Sequence, residues 1–367
     1  MKKLERRDFI KAATFSAAAF TVASGIPGCG NNEKKNNTSG YSGKTFNWRM
    51  VTTWSPHFPL LGEYADKMAV WIDEMSGGRL KIQVYGGGEL VPALETFDAV
   101  SQGVAEMGHG APYYWAGKIP AAQFFSGIPF GMNTQQTNAW LFDGGGIQLW
   151  EQTYAPHNLI PFVCGNTGGQ MGGWFNKEIN SLADLQGLKI RMPGLGGKVI
   201  TKAGASAILS PGSELYTNLE RGVIDALEWI GPYHDYLMGF HKIAKYYYSP
   251  GWQEPTGTLE LIVNKNAYES LPADLQSIIR CAASAVTMQL LSGFEQKNAE
   301  YLLKLKNEDK INLKDFPDDV LNKLKEFALQ VFNEITNADA QSKKVYESYK
   351  EFQIQTHEWT AIAEKNY

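Results

Sequence analysis

Hydrophobic positions change their spacing repeatedly along this chain. Over Phe46–Val51 they fall near every second residue, the period of a strand. Over Leu60–Met75 they fall three and four apart, the stripe of an amphipathic helix, which Gly77-Gly78 ends. Leu80–Tyr85 returns to strand spacing and stops at Gly86-Gly87-Gly88, and a helix over Pro92–Gln102 and a strand over Val104–His109 follow. Strands separated by helices predict βα units around a mainly parallel sheet.

One stretch of this pattern occurs twice. Pro92, Glu95, Phe97, Val100, Gly103 and Val104 recur at the same spacing as Pro211, Glu214, Tyr216, Leu219, Gly222 and Val223. Each copy reads as a proline at a helix start, a short helix, a glycine cap and a buried strand. An aromatic turn follows each strand: Ala111-Pro112-Tyr113-Tyr114-Trp115 in the first copy, Trp229-Ile230-Gly231-Pro232-Tyr233 in the second. Ligands of open α/β sheets sit beyond the carboxyl ends of the strands, so two such lobes face to face would make a cleft. After Pro272 the chain turns helical. Asp274–Asn307 has few breakers, Phe316, Val320, Leu324, Phe327, Val331 and Ile335 keep helical spacing, and residues 338–365 continue it.

Composition adds limits. The 367 residues are 44% hydrophobic and 20% charged, enough for two cored domains. A formal charge of −4 with no basic stripe argues against nucleic acid as a partner. At the N-terminus, Arg6-Arg7 precedes a mild apolar run from Ala12 to Ile26, too short for a membrane span, which is the twin-arginine export pattern. Ile26-Pro27-Gly28-Cys29 resembles a lipoprotein box with Cys29 as the acylated residue; cleavage without a lipid is the alternative, because Pro27 is unusual there. The division expected is an export signal over 1–29, a tether over 30–43, mainly the first lobe over 44–165, mainly the second lobe with crossovers over 166–264, and over 265–367 a helical region that braces the lobes and dimerises. Cys164 and Cys281 are either a pair or, the more usual state of lone cysteines in apolar stretches, buried thiols.

Catalytic motifs are scarce. His57, His109, His157, His234, His241 and His357 are scattered, and there is no zinc spacing or nucleophile elbow. Gly194-Leu195-Gly196-Gly197 lacks the rest of a phosphate loop. Arg191 stands out: it ends the short strand Leu188–Arg191, before Met192-Pro193-Gly194, where its planar fork would suit a carboxylate. Glu228 and Glu254 follow strand-like runs, and Gln170 closes Gly168-Gly169-Gln170 between the strand Leu159–Gly165 and Trp174-Phe175.

Four motifs carry a family resemblance: Gly168-Gly169-Gln170-Met171-Gly172-Gly173-Trp174-Phe175, Lys189-Ile190-Arg191-Met192-Pro193-Gly194, the run from Glu220 to Trp229, and Gly251-Trp252-Gln253-Glu254-Pro255. With them, residues 46–282 resemble the solute receptors of TRAP transporters, most of all the branch that takes 2-oxo acids and lactate-like monocarboxylates. The resemblance implies a two-lobed periplasmic binding-protein fold that closes on its ligand, and no reaction. It implies that Arg191 binds the substrate carboxylate and that Gln170 touches both substrate and a cation. Glu228, the Trp229 carbonyl and Glu254 would complete the cation site, with Tyr113 and Tyr114 contributing to the substrate site from the first lobe. It also implies the integral membrane subunits of a TRAP transporter as partners, and swapped C-terminal helices in a homodimer. Charge supports the cation: one arginine would face two glutamates and an acid, and like charges ~4 Å apart repel by about 4 kcal/mol at an effective dielectric near 20. All-oxygen ligands suit Na⁺ or Ca²⁺. An exported enzyme for organic acids and a surface lipoprotein with no transport role are the competing readings.

Overall fold

The computed structural model describes residues 43–309 and 311–363. The twin-arginine segment, the Cys29 box and nearly all of the tether lie outside them. β1 (Phe46–Thr52), β2 (Leu80–Tyr85) and β3 (Met107–Gly110) form three strands of the first sheet, with α1 (Leu61–Met75) and α2 (Thr96–Ser101) as the connecting helices. β1 pairs in parallel with β2, from Phe46 opposite Leu80 to Val51 opposite Tyr85, and with β3 on its other side. α3 (Thr134–Phe142) and α4 (Gly146–Tyr154) then lead to β4 (Leu159–Asn166).

From β4 the chain crosses to a second sheet. This sheet holds β5 (Gly173–Phe175), β6 (Lys189–Arg191), β7 (Ser206–Ile208), β8 (Ala226–Leu227) and β9 (Tyr246–Ser249). α5 (Gly194–Lys202), α6 (Leu215–Glu220) and α7 (Pro232–Leu237) connect its strands. The chain then crosses back as β10 (Thr258–Asn264), which enters the first sheet between β3 and β4. That return corrects the expectation of mainly parallel sheets. β10 runs antiparallel to both neighbours, and β5 runs antiparallel to β8 and β9. Strands that carry the chain between sheets arrive from the opposite end, so each sheet is mixed.

The helical tail is α8 (Lys265–Glu269), α9 (Ala273–Asn307), α10 (Asp318–Ala338) and α11 (Ala340–Ala363). α9 is long and apolar enough to cross a membrane by length and composition. Its buried residues, Leu275, Ile279, Ala282, Val286, Leu290 and Phe294, form one stripe. That stripe packs on β4 and α1 of the first sheet and on α7 of the second, so α9 braces both. α10 packs on α5, and α11 on α3 and α4. One element breaks the helical expectation: β11 (Asn312–Asp315) pairs with β9 at the second sheet's edge.

Alternation along the strands divides the core in two. On β10, Leu259, Leu261 and Val263 join one cluster, which includes α1 and α9, while Ile262 joins the other, which includes α10 and α11.

Both copies of the repeated pattern fold alike. Glu95 donates its backbone N–H to the Pro92 carbonyl, and Glu214 does the same to Pro211. Gly103 and Gly222 cap the helices with φ of 77° and 70°. The strands start three residues later than expected, and Val104 and Val223 are exposed turn residues. Cys164 and Cys281 form no pair among the described residues; Cys164 is buried, but Cys281 is exposed on α9, contrary to the buried expectation.

Candidate functional site

Two chain crossings and two strand ends build the site. β6 and β8 are parallel neighbours with Arg191 opposite Leu227, which leaves Arg191 and Glu228 side by side as the strands finish. The Glu228 backbone N–H donates to the Arg191 carbonyl at 3.1 Å. Nη1 of Arg191 returns two bonds, 2.8 Å to the Glu228 carbonyl and 2.5 Å to its Oε1. Both side chains are 1% exposed. The guanidinium carbon lies 5.1 Å from the centre of the Trp229 ring, a cation–π contact that fixes its plane.

Gln170 and Glu254 come from the two crossings. The Gln170 N–H donates to the Glu254 carbonyl at 3.2 Å, and Thr167 N–H to the Gly257 carbonyl at 2.9 Å, which zips the crossings together. Gln253 Nε2 adds a bond to the Met171 carbonyl at 2.9 Å. The approach demands glycine: a Cβ at Gly251 would stand 2.1 Å from the Gln170 carbonyl oxygen. Tyr113 and Tyr114 sit on the turn Pro112–Trp115 after β3, half-buried, facing Arg191, Glu228 and Glu254 from the first sheet. All the residues expected at the site are therefore brought together.

The site is short of partners. Among the described residues, Arg191 Nε and Nη2 are buried donors without an acceptor, while Gln170 Oε1, Glu228 Oε2 and Glu254 Oε2 are buried acceptors without a donor. Burial pushes the Glu228 carboxyl above the usual carboxylate range, against the pull of Arg191. Burial and then repulsion from Glu228 push Glu254 well above the usual carboxylate range. Burial works against the Arg191 charge, yet Glu228 outweighs it and the guanidinium is held more firmly protonated. Two free donors of a planar fork suit a carboxylate. Three free oxygens, two of them on carboxylates held away from water, suit a hard cation. The donor set thus fits Na⁺ or Ca²⁺.

Asp235 was not singled out by its sequence. Its Oδ2 accepts from Trp174 Nε1 at 3.1 Å and Tyr247 OH at 2.8 Å, and its Oδ1 from Ile230 N–H at 3.4 Å. It holds the Trp229–Ile230 turn in place, and burial pushes it up to about 7. Its signal was a lone acid within an aromatic, apolar stretch. His109 and His234 are buried, pushed down to about 4 and about 3 by burial, and bonded to the Cys164 and Pro59 carbonyls. Beside the site a groove of about 870 Å³ is lined by Tyr113, Tyr114, Met192, Pro193 and Gly194 among others, and Arg191, Glu228 and Glu254 do not line it.

Comparison with known proteins places the chain in a family. Residues 50–339 match the DctP family model, bacterial extracellular solute-binding protein, family 7. The monocarboxylate 2-oxoacid-binding periplasmic protein of Nostoc sp. strain PCC 7120 is 39% identical over 99% of this chain and 98% of its own. A TRAP periplasmic solute binding protein of Pseudoalteromonas atlantica T6c, solved with bound sodium and pyruvate, is 43% identical with a TM-score of 0.86, covering 88% of this chain and 98% of that one. One from Bordetella bronchiseptica RB50, a mixed-occupancy dimer with copurified calcium and picolinate, is 37% identical with a TM-score of 0.86, covering 88% and 96%. On its sequence, its two mixed sheets and the match across most of its length, the chain belongs to the DctP family of TRAP solute-binding proteins.

Proposed function

We propose that this protein is the periplasmic receptor of a TRAP transporter for a small 2-oxo or hydroxy monocarboxylate, pyruvate being the first candidate, bound together with Na⁺ or Ca²⁺. The observation that carries the reading is a group of buried atoms that lack partners among the described residues, with donors on Arg191 and oxygens on Gln170, Glu228 and Glu254. The acid's carboxylate takes the Arg191 fork, with Tyr113 and Tyr114 closing over it. Gln170, Glu228, the Trp229 carbonyl and Glu254 hold the cation, which offsets the two glutamate charges and bridges to the acid. Relatives that carry sodium with pyruvate and calcium with picolinate support both halves of this assignment. The protein's role is capture and delivery to the integral membrane subunits, without turnover.

Titration calorimetry with pyruvate, on protein unfolded and refolded to strip carried ligand, tests the reading. Micromolar or tighter binding that weakens when Na⁺ and Ca²⁺ are withdrawn is expected; equal affinity with and without every cation refutes the bridged site.

Export through the twin-arginine route and anchoring by a lipid on Cys29 belong to the same proposal. Changing Arg6 and Arg7 to Lys should leave precursor inside the cell, and Cys29→Ser should release the protein from the membrane. Homodimerisation through the C-terminal helices is supported by the exposed apolar end of α11, where Ile354, Trp359 and Ile362 are 61%, 67% and 77% exposed.

A further inference from the structure

Glu260 occupies an expensive position. It lies on β10, between β3 and β4, with no exposed surface. Its face of the strand is shared with Ile262, whose cluster holds the rings of Phe97, Trp115, Trp150 and Tyr154. An ionised carboxylate among rings costs several kcal/mol unless fully bonded. Burial pushes Glu260 up to about 8, so at neutral pH it stands largely as the uncharged acid. Its Oε1 accepts the indole N–H of Trp115, and the buried Tyr154 hydroxyl lies beside the same carboxyl.

What Trp115 carries gives that bond its meaning. Trp115 is the last residue of the turn Pro112–Trp115, whose Tyr113 and Tyr114 face Arg191, Glu228 and Glu254. The ladder is shaped to admit the indole. Gly110 stands opposite Glu260 on β3, and a Cβ there would come within 3.3 Å of Trp115 Cζ2. The register of β10 slips between Thr258 and Glu260, an irregularity that re-aims side chains. Upstream, the same crossing holds Glu254. One segment thus places a cation oxygen at its entry and pins the tyrosine turn a few residues later.

We infer that Glu260 is a positioning residue: through Trp115 it holds Tyr113 and Tyr114 over the carboxylate end of the ligand. It sets acid affinity without touching the acid or the cation. This rests on the receptor reading above, in which those tyrosines close over the acid. A methionine would fill the same space and cost less to bury, but it would leave the indole N–H without an acceptor and the turn free to shift.

Three single variants, Glu260→Gln, Glu260→Met and Trp115→Phe, and the Met/Phe double variant separate this from a structural role. Calorimetry measures pyruvate affinity at saturating Ca²⁺, and Ca²⁺ affinity with no acid present. Glu260→Met and Trp115→Phe should each weaken pyruvate about tenfold, the worth of one buried hydrogen bond, and the double variant should be no worse than either. Glu260→Gln keeps an acceptor for the indole and should stay within about threefold of wild type. Ca²⁺ affinity should hold in all four. Parallel loss of pyruvate and Ca²⁺ affinity, or unchanged pyruvate affinity in both Glu260→Met and Trp115→Phe, overturns the inference while leaving the receptor reading intact. A wild-type protein that binds no 2-oxo acid overturns both. Trp115→Phe and Glu260→Gln preserve packing, so the comparison survives if Glu260→Met does not fold.

Discussion

Replacing Arg191 by lysine keeps the positive charge and removes the fork. In the structure Nη1 is already committed to Glu228 by two bonds, which leaves Nε and Nη2 for the ligand. A lysine ammonium is a single point with a shorter reach. Drawn to the Glu228 carboxylate, it would offer the acid at most one donor where arginine offers two. Losing one charge-assisted bond in a dry site costs about 2 kcal/mol, roughly 30-fold in Kd. Ca²⁺ binding without acid should change far less, because the local charge is the same. The assay is calorimetric titration of pyruvate into Arg191→Lys at saturating Ca²⁺, beside the wild type. Arg191→Met supplies the opposite limit: it leaves Glu228 and Glu254 buried without their arginine and should abolish measurable acid binding. A Kd for Arg191→Lys within threefold of wild type would refute the reasoning, since charge alone would then suffice.

Other outcomes follow from the same geometry. Gly257→Ala places a Cβ 2.3 Å from Thr167 Oγ1 and 2.6 Å from Gln170 Nε2, so Gln170 must move; cation and acid affinity should fall together by about tenfold or more, read by calorimetry. Asp235 rises from 3.8 to about 7 on folding, so the folded protein holds an extra proton across that window. Its contribution to stability is full below the unfolded value and declines as pH rises through the window, by at most roughly 4 kcal/mol. Asp235→Asn should therefore flatten the fall in melting temperature between pH 4 and pH 7 relative to wild type; an unchanged profile counts against it. For the C-terminal helices, light scattering should report a dimer that Trp359→Glu with Ile362→Glu converts to monomer, and a monomeric wild type ends that proposal.

Much of this was legible because local chemistry and tertiary placement agreed. The two proline–helix–glycine copies fold alike because each signal acts within a dozen residues, and Arg191 and Glu228 lie where strand ends had put them. Strand direction was not legible: β10 reads like any buried strand, and only the return crossing makes it antiparallel. β11 was hidden because Asn312–Asp315 is short, polar and pairs only at an edge. Asp235 and Glu260 were missed for a shared reason. Each is a single acid whose importance depends on indole and phenol groups distant in sequence, such as Trp174 for one and Trp115 for the other.

Of the three crossings between the sheets, the two from β4 to β5 and from β9 to β10 are also where Gln170 and Glu254 reside. In most clamps the pivot is remote from the jaws, so grip and swing can be tuned apart. If the lobes swing on these crossings, the two share a few residues here. If Gln170 and Glu254 hold the cation, then spreading the lobes pulls directly on two of its oxygens, and losing the cation loosens the pivot itself. On that assignment, a membrane partner would not need to reach the buried acid to discharge it. Prising the lobes apart from outside would strain the coordination first, and the acid would leave a socket that had already lost its rivet.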